Sequence, residues 1–79
     1  MVACVNIIPK VQSVYWWDGK VNVDEEQLLI FKTETSLSPT IISAVKEIHP
    51  YDVPEVIFTP IQDGNDKYLE WISESVKEN

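Results

Sequence analysis

The dipeptide Asp18-Gly19 constrains this fold more than any other feature, because it stands between two β-favouring segments. Glycine readily adopts the positive φ that a type I′ turn needs, so the pair predicts a two-residue β-hairpin. Residues 11–17 lead into the turn, and residues 20–23 leave it with a period of two. We therefore predict a long β-ribbon over residues 2–33, bent at Pro9, where proline removes a donor from the ladder.

The return side of the ribbon contains three consecutive acids, Asp24-Glu25-Glu26, before the apolar segment 27–33. We predict that the acids form a solvated turn that interrupts the ribbon. The apolar segment that follows is typical of a mostly buried strand.

Three adjacent aromatic residues, Tyr15, Trp16 and Trp17, precede the hairpin turn. Successive side chains of a strand point to opposite faces, so these three must use both sides of the sheet. One side can join the core of the chain, whereas an exposed tryptophan on the other side marks an interface. We predict a subunit contact there, with a ligand cleft as the alternative.

The second half of the chain carries two helical patterns. Ser38-Pro39 is typical of a helix start, with serine as N-cap and proline at the first helical position. Pro50 ends this helix, because the residue before a proline is disfavoured in the α region. The turn residues 63–66 cap a second helix that ends near Lys77. The two apolar stripes are Ile41, Ala44, Val45 and Ile48, then Tyr68, Leu69, Ile72 and Val76.

Residues 55–61 lie between the two helical patterns and predict one more strand, with Pro60 at an exposed edge. The predicted order of elements is β-β-β-α-β-α. We expect a single domain over residues 1–79, with neither repeats nor a linker.

The charge and length of the chain restrict its partners. Thirteen acids against six bases give a net charge of −7, which disfavours nucleic acid and anionic membrane and attracts cations. The single cysteine excludes an internal disulfide, and a core built from 79 residues is small, so we expect oligomerisation. We find no targeting or membrane-spanning pattern, and we predict a cytoplasmic protein.

Few side chains can carry chemistry. Phosphate-loop, nucleophile-elbow and paired Cys or His motifs are absent from the sequence, so we predict that the protein is not an enzyme. Cys4 is predicted to be a small core residue, with Cu(I) binding as the alternative. His49 either caps the first helix or binds copper or zinc, with Glu55 or a neighbouring subunit as partner. Lys32 either reaches solvent at its strand end or holds an anion in a cleft.

Five segments of this chain resemble the CutA family, the divalent-cation tolerance proteins. The Tyr-Trp-Trp-x-Gly-Lys and His-Pro-Tyr-x-x-Pro-Glu motifs are specific in combination, and the segments follow in order over nearly the whole chain. The segments are residues 3–9 (Ala-Cys-Val-Asn-Ile-Ile-Pro), 13–20 (Ser-Val-Tyr-Trp-Trp-Asp-Gly-Lys), 26–33 (Glu-Gln-Leu-Leu-Ile-Phe-Lys-Thr), 49–55 (His-Pro-Tyr-Asp-Val-Pro-Glu) and 68–71 (Tyr-Leu-Glu-Trp).

The resemblance implies an α+β, ferredoxin-like subunit of the PII/CutA type, with an antiparallel sheet and two helices on one face. It also implies a tight homotrimer, copper tolerance, binding of copper or another divalent metal ion, and no catalytic activity. Some members carry two histidines before Pro-Tyr, whereas this chain has Ile48-His49, so only His49 is carried over as a ligand. The alternative is a PII-like regulatory module that binds a small anionic ligand or a partner protein in an intersubunit cleft lined by Trp17, Lys32 and Tyr51.

Family members usually begin with a further strand and helix, and some carry a copper-assigned cysteine there. That strand lies centrally, between the strands equivalent to residues 28–32 and 56–59. We therefore expect one of two situations. Either the natural protein is longer than this chain, or these two strands pair directly here and trimer contacts compensate for the shortened N-terminus.

Overall fold

A long antiparallel ribbon and two separate helices make up this α+β chain, of which a computed structural model describes residues 1–78. The ribbon consists of β1 (Cys4–Trp17) and β2 (Lys20–Lys32). A 3-10 turn (Thr35–Leu37) then leads into helix α1 (Ser38–Ile48), and helix α2 (Asp66–Glu78) follows later in the chain. Neither helix of the described part is long and apolar enough to cross a membrane.

The hairpin turn forms at the predicted dipeptide. Asp18 and Gly19 have φ values of 55° and 73°, which are the two positive φ angles of a type I′ turn. The side-chain amide of Asn22 closes the turn by donating to the carbonyl oxygens of Trp17 at 3.0 Å and Lys20 at 3.1 Å. The predicted turn is therefore confirmed, and it sets the register of the outer ribbon.

The predicted bend at Pro9 is a β-bulge. Ile8 pairs with Leu28 and Val11 pairs with Glu26, so two residues of β1 oppose a single residue of β2. Lys10, one of the two residues in the bulge, adopts a φ of 59°. The ribbon therefore continues through the bend as one pair of strands, with a register shift at the proline.

The predicted interruption at residues 24–26 is wrong, because β2 is continuous through these acids. Asp24 pairs with Ser13, and Glu25 pairs with Gln12. The turn and the bulge fix the register on either side of the acids, and the cross-strand ladder holds them in the strand. Their charge is compatible with a strand because Asp24 and Glu25 remain exposed.

The outer part of the ribbon has two chemically different faces. Directly paired residues share a face, so Val14, Val23, Trp16 and Val21 lie together on what we call the outer face. All four are exposed, between 54% and 71%. The opposite, groove face carries residues that border a groove next to both helices, namely Ser13, Tyr15, Trp17, Asp24 and Glu26.

Helix α1 begins one residue earlier than predicted, so the predicted N-cap at Ser38 is wrong. Leu37 is the N-cap and makes no side-chain capping bond, whereas Ser38 is already the first helical residue. The preceding 3-10 turn extends the helical path backwards, and this explains why Ser38 does not cap it. The helix ends as predicted before Pro50, with His49 as C-cap.

The core of the described chain is small. Ile41 of α1 and Ile72 and Val76 of α2 are buried, at 5%, 4% and 8% exposure. Ile48, which was predicted to belong to the apolar stripe of α1, is instead 82% exposed because it lies on the last turn of the helix.

Helix α2 is attached at its start and along one side. The Asn65 side chain accepts a hydrogen bond from Lys67 N at 3.0 Å, and this caps the helix as the turn cluster predicts. The Ser73 hydroxyl donates to the carboxylate of Glu34 at 3.0 Å. This bond ties the helix to the segment that leaves β2.

The predicted strand at residues 55–61 is wrong, because the sheet of the described residues contains only β1 and β2. The prolines at positions 54 and 60 remove two backbone donors from this short segment, which weakens strand pairing. A groove of about 2150 Å³ separates the segment from β2. The expected direct pairing of residues 28–32 with residues 56–59 is therefore also wrong.

Two apolar segments, residues 28–33 and 56–61, border the groove. Among the described residues β2 pairs only with β1, so the two segments face the same space without pairing with each other.

The chain exposes more surface than an independent domain of its mass. Its accessible area is 6782 Å², whereas a folded 9.1 kDa monomer is expected to expose about 4900 Å². Its radius of gyration is 15.1 Å, against about 12 Å for a compact domain of this length. Much apolar surface therefore remains exposed in the described chain.

Candidate functional site

His49 is placed by the end of helix α1. Its backbone N–H donates to the carbonyl oxygen of Val45 at 2.9 Å, which completes the last turn of the helix. Its own backbone is extended, with φ −74° and ψ 139°, as expected for a residue that precedes proline. The imidazole is exposed and available for contacts beyond the helix.

The imidazole of His49 folds back onto the next turn of chain. Its Nδ1 accepts a hydrogen bond from the backbone N–H of Tyr51 at 3.1 Å. The two rings also meet at a centroid distance of 4.8 Å, inclined by 57°. A neutral imidazole that accepts at Nδ1 carries its proton on Nε2, so His49 is oriented by a local contact.

A small pocket lies between this turn and the middle of β2. Its volume is about 310 Å³, and its polar lining residues include Glu25, Glu26 and His49. Carboxylates and imidazole are ligand types that bind divalent transition metals. Within residues 1–78, however, no three His, Cys, Asp or Glu side chains come close enough to hold a metal ion. The described part of the chain therefore brings no complete set of metal ligands together.

Tyr15 lies on the groove face of the ribbon beside an acid of the opposite strand. Its hydroxyl donates a hydrogen bond to the carboxylate of Asp24. This bond is the largest cause that raises the pKa of Tyr15 to about 12, followed by desolvation and by the charges of Asp24, Tyr51 and Glu26. The groove face near the pocket is therefore an acidic, aromatic surface.

Lys32 is held at the other end of β2. Its ammonium donates to the Tyr68 hydroxyl at 3.2 Å and lies 5.5 Å from the centre of the Tyr68 ring. The bond to Tyr68 raises the pKa of Lys32, because it stabilises the charged form. Cys4 is the cross-strand partner of Lys32 and is a half-buried free thiol, consistent with the predicted small packing residue.

The predicted cleft residues are distributed along the whole ribbon. Trp17 and Lys32 both border the groove, but they lie near opposite ends of the ribbon, about 40 Å apart at the rise of a β-strand. Trp16 lies on the outer face, away from Tyr15 and Trp17. Glu55 is exposed and borders the groove. A cleft that joins Trp17, Lys32 and Tyr51 therefore needs more than one subunit.

Two contacts of the site were missed by sequence reasoning. The Tyr15–Asp24 bond follows from the hairpin register. Counting cross-strand pairs outward from the Asp18-Gly19 turn places Tyr15 and Asp24 on the same face of the ribbon. The sequence contains this signal, but the prediction of a turn at residues 24–26 obscures it. The Lys32–Tyr68 bond joins residues 36 positions apart and leaves no local pattern in the sequence.

Comparison with known proteins identifies the family of this chain. The family described as CutA1 divalent ion tolerance protein matches residues 1–75. The rice protein named "Protein CutA 1, chloroplastic" is 56% identical over 79 residues, which are all of this chain and 45% of that protein. The chain thus spans less than half the length of this relative.

Solved structures agree with this match. The crystal structure of CutA1 from Oryza sativa superposes with a TM-score of 0.91 at 58% identity, over 94% of this chain and 68% of that one. The structure titled periplasmic divalent cation tolerance protein CutA, from Archaeoglobus fulgidus, has a TM-score of 0.91 at 37% identity, over 95% and 72%. Sequence and fold together show that the chain belongs to the CutA1 divalent ion tolerance protein family.

Proposed function

We propose that this chain is a subunit of a non-enzymatic homotrimer that binds divalent metal ions, copper first, and serves in tolerance to them. Family membership carries this proposal. The net charge of −7 supports it because an acidic protein attracts cations. The pocket that His49 shares with Glu25 and Glu26 supplies suitable ligand types.

The metal site of the proposal lies between subunits. His49, Glu25 and Glu26 border the pocket, but the described part of one chain brings no complete set of ligands together. Residues of a neighbouring subunit, with Glu55 of this chain as a further candidate, would complete the coordination. When bound, copper would be held in a form that limits its free concentration.

Copper titration by calorimetry tests the role of His49. We expect His49→Ala to weaken copper binding by at least about tenfold, because an imidazole is the strongest ligand available in the pocket. Cys4→Ser is the matched control, since it removes the other soft ligand, at the end of β1 that is distant from the pocket. Equal affinity of His49→Ala and the unmodified chain would remove His49 from the proposal.

The outer face supports the trimer. Val14, Trp16, Val21 and Val23 form an exposed apolar face, and tryptophan in such a face is typical of interface cores. Light scattering at micromolar concentration should give about three times the 9.1 kDa mass of the chain. A measured mass of one chain would contradict the trimer. It would not change the interpretation of the copper titration.

A second candidate is the PII-like regulatory module that binds a small anionic ligand or a partner protein. Trp17, Lys32 and Tyr51 all border the groove, and subunit association would have to bring the distant Trp17 and Lys32 together in one cleft. A thermal-shift screen of metal ions against nucleotides and carboxylates separates the two functions. Stabilisation by metal ions alone excludes the regulatory module, and stabilisation by an anion alone excludes the metal protein.

The remaining properties belong to the same proposal. The chain acts as one domain over residues 1–79, in the cytoplasm, with itself and metal ions as partners and with neither nucleic acid nor membrane. The rice relative is named chloroplastic and the Archaeoglobus structure periplasmic, so fractionation of the native source is the direct test of the compartment.

A further inference from the structure

The chain contains two aspartate–glycine pairs, Asp18-Gly19 and Asp63-Gly64. In such a pair the backbone nitrogen of the glycine can attack the side-chain carboxyl of the aspartate, because glycine carries no side chain that hinders the approach. The reaction needs this nitrogen and the carboxyl carbon, Cγ, to meet. The residue types of the two pairs are identical, so the fold and the flanking residues decide which pair reacts.

Asp63 holds its carboxyl against the backbone nitrogen of Gly64. The Gly64 N–H donates a hydrogen bond to Oδ1 of Asp63 at 2.8 Å. Cγ is bonded to this oxygen, so the nitrogen lies beside the carbon that it would attack. The arrangement approaches the near-attack geometry, in which reacting atoms are held about 3–3.5 Å apart. Both residues are exposed, so water can reach the reacting groups.

Asp18 has the opposite arrangement, because it lies in the hairpin turn with a φ of 55°. A type I′ turn is the mirror image of type I, so its first central residue has a ψ of about +30°. At this ψ the Gly19 nitrogen is turned away from the Asp18 Cβ, and Cγ lies too far away for attack. The Asn22 side chain closes the turn through its two hydrogen bonds. Attack at Asp18 therefore requires the turn to open.

We propose that Asp63 is a site of spontaneous isomerisation to isoaspartate, whereas the hairpin turn protects Asp18 from the same reaction. The proposal is independent of the metal function. It needs no reactant other than water, and it leaves the mass of the chain unchanged.

The reaction at Asp63 has two steps. The Gly64 nitrogen bonds to Cγ and loses its proton, while the protonated carboxyl loses its hydroxyl group, so one water leaves and a five-membered succinimide ring forms. Water then adds to one of the two ring carbonyls and cleaves its bond to the nitrogen. Cleavage at Cγ restores aspartate. Cleavage at the main-chain carbonyl leaves Gly64 attached through Cγ, which is isoaspartate.

Isoaspartate at position 63 would change the chain just before helix α2. It adds one carbon atom to the main chain and leaves a free carboxylate on a short branch. The Asn65 side chain caps the helix two residues later, and a Cβ on Gly64 would lie 3.5 Å from the Leu69 side chain. The exposed branch has the chemistry that an isoaspartyl carboxyl methyltransferase accepts, so this enzyme class is the partner that the modified site would take.

Peptide mapping of the aged chain tests the proposal. The full chain is incubated in mildly acidic buffer, because the reacting carboxyl is the protonated form, and electron-transfer fragmentation then distinguishes isoaspartate from aspartate at each position. We expect isoaspartate to accumulate at least about tenfold faster at position 63 than at position 18, since a small misplacement of the reacting atoms costs a large factor in rate. Equal rates, or a faster reaction at position 18, would overturn the proposal.

The same incubation in concentrated urea separates the fold from the flanking residues. Unfolding removes both the hairpin turn and the contact of Gly64 with Asp63, so we expect the two rates to converge. An unchanged ratio of the rates in urea would show that the flanking residues set the difference, and it would overturn the role of the fold.

Two variants assign the modified residue with an isoaspartyl methyltransferase and a labelled methyl donor as the probe. Asp63→Glu keeps the charge but moves the carboxyl by one methylene group, so the aged variant should lose most of the methyl label. Asp18→Gly is the matched control, because it removes the other pair while glycine still suits the positive φ of the turn. This control should retain the label, and its loss in Asp18→Gly rather than in Asp63→Glu would overturn the proposal.

Discussion

The ribbon and the helical half of this chain are ordered by different interactions. The ribbon has a continuous ladder from Cys4 to Trp17, fixed by a turn and a bulge, yet its large apolar side chains are exposed. The helical half buries Ile41, Ile72 and Val76, and the Lys32–Tyr68 hydrogen bond joins it to the ribbon. Backbone pairing defines the first region and side-chain burial defines the second. Each region therefore depends on surfaces outside itself for part of its stability.

The substitution with the largest expected effect disrupts the outer face of the ribbon. Trp16→Glu places a charge on the outer face among Val14, Val21 and Val23. A subunit contact there would bury this charge without a partner, which costs several kcal/mol of association free energy. We expect the sedimentation mass of the proposed trimer to fall to that of one chain. Trp17→Glu, on the groove face, is the matched control and should retain the trimer. Dissociation by both variants alike would show that the contact is not specific to the outer face.

The substitution with the next largest expected effect removes part of the buried core in the helical half. Ile72 is 4% exposed, and truncating a buried isoleucine to alanine typically costs about 2–5 kcal/mol of unfolding free energy. Ile72→Ala should lower the denaturant midpoint accordingly. Ile57 is 76% exposed, so Ile57→Ala should stay within about 0.5 kcal/mol of the parent. A similar loss in both variants would show that residue 57 is covered in the assembled protein.

A smaller effect concerns the turn that defines the ribbon. A Cβ at Gly19 would meet nothing within 4 Å, but its φ of 73° is strained for alanine. We expect Gly19→Ala to cost about 1 kcal/mol of unfolding free energy, measured by thermal melting. The control is Gly64→Ala, whose Cβ would make ordinary contacts with Leu69 at 3.5 Å. Equal melting temperatures of the two variants would argue against the positive-φ turn.

The smallest effect is a pH dependence confined to the groove face. The pKa of Tyr15 is raised from 10.0 to about 12, so this group stabilises the fold fully below about pH 10. That contribution is lost as the pH rises toward about 12, because the unfolded chain then releases a proton that the folded chain retains. Ultraviolet titration should show one late-titrating tyrosine, and Tyr15→Phe should remove it. Persistence of the late step in Tyr15→Phe would assign the raised pKa to Tyr51 or Tyr68.

The sequence was most informative where structure depends on neighbours along the chain. Asp18-Gly19, Pro9, Pro50 and Asn65 each act through local φ constraints or capping, and each prediction made from them is confirmed. One local prediction failed: Ser38 does not cap α1, because the 3-10 turn Thr35–Leu37 begins the helical path earlier. The other predictions failed where the outcome depends on distant partners. Residues 24–26 form a strand because β1 pairs with them, and residues 55–61 form none because no segment among the described residues pairs with them.

The candidate site shows the same difference between features set by local sequence and features set by distant partners. The position of His49 at the end of α1 was predictable from Pro50, whereas its place beside Glu25 and Glu26 in one pocket required the fold. The use of Nδ1 by Tyr51 depends on the torsion angles of the turn, which residue types alone do not determine. The assembly that would complete the metal ligands remains a prediction.

The bulge at Pro9 and Lys10 has a consequence for the evolution of the ribbon. Side chains alternate with a period of two, so inserting one residue on each strand between the bulge and the turn would move Trp16 to the groove face and Tyr15 to the outer face. The residues next to the turn would keep their cross-strand partners. Inserting two residues on each strand would lengthen the ribbon and keep both faces. Length variation in this hairpin should therefore occur in steps of two residues per strand.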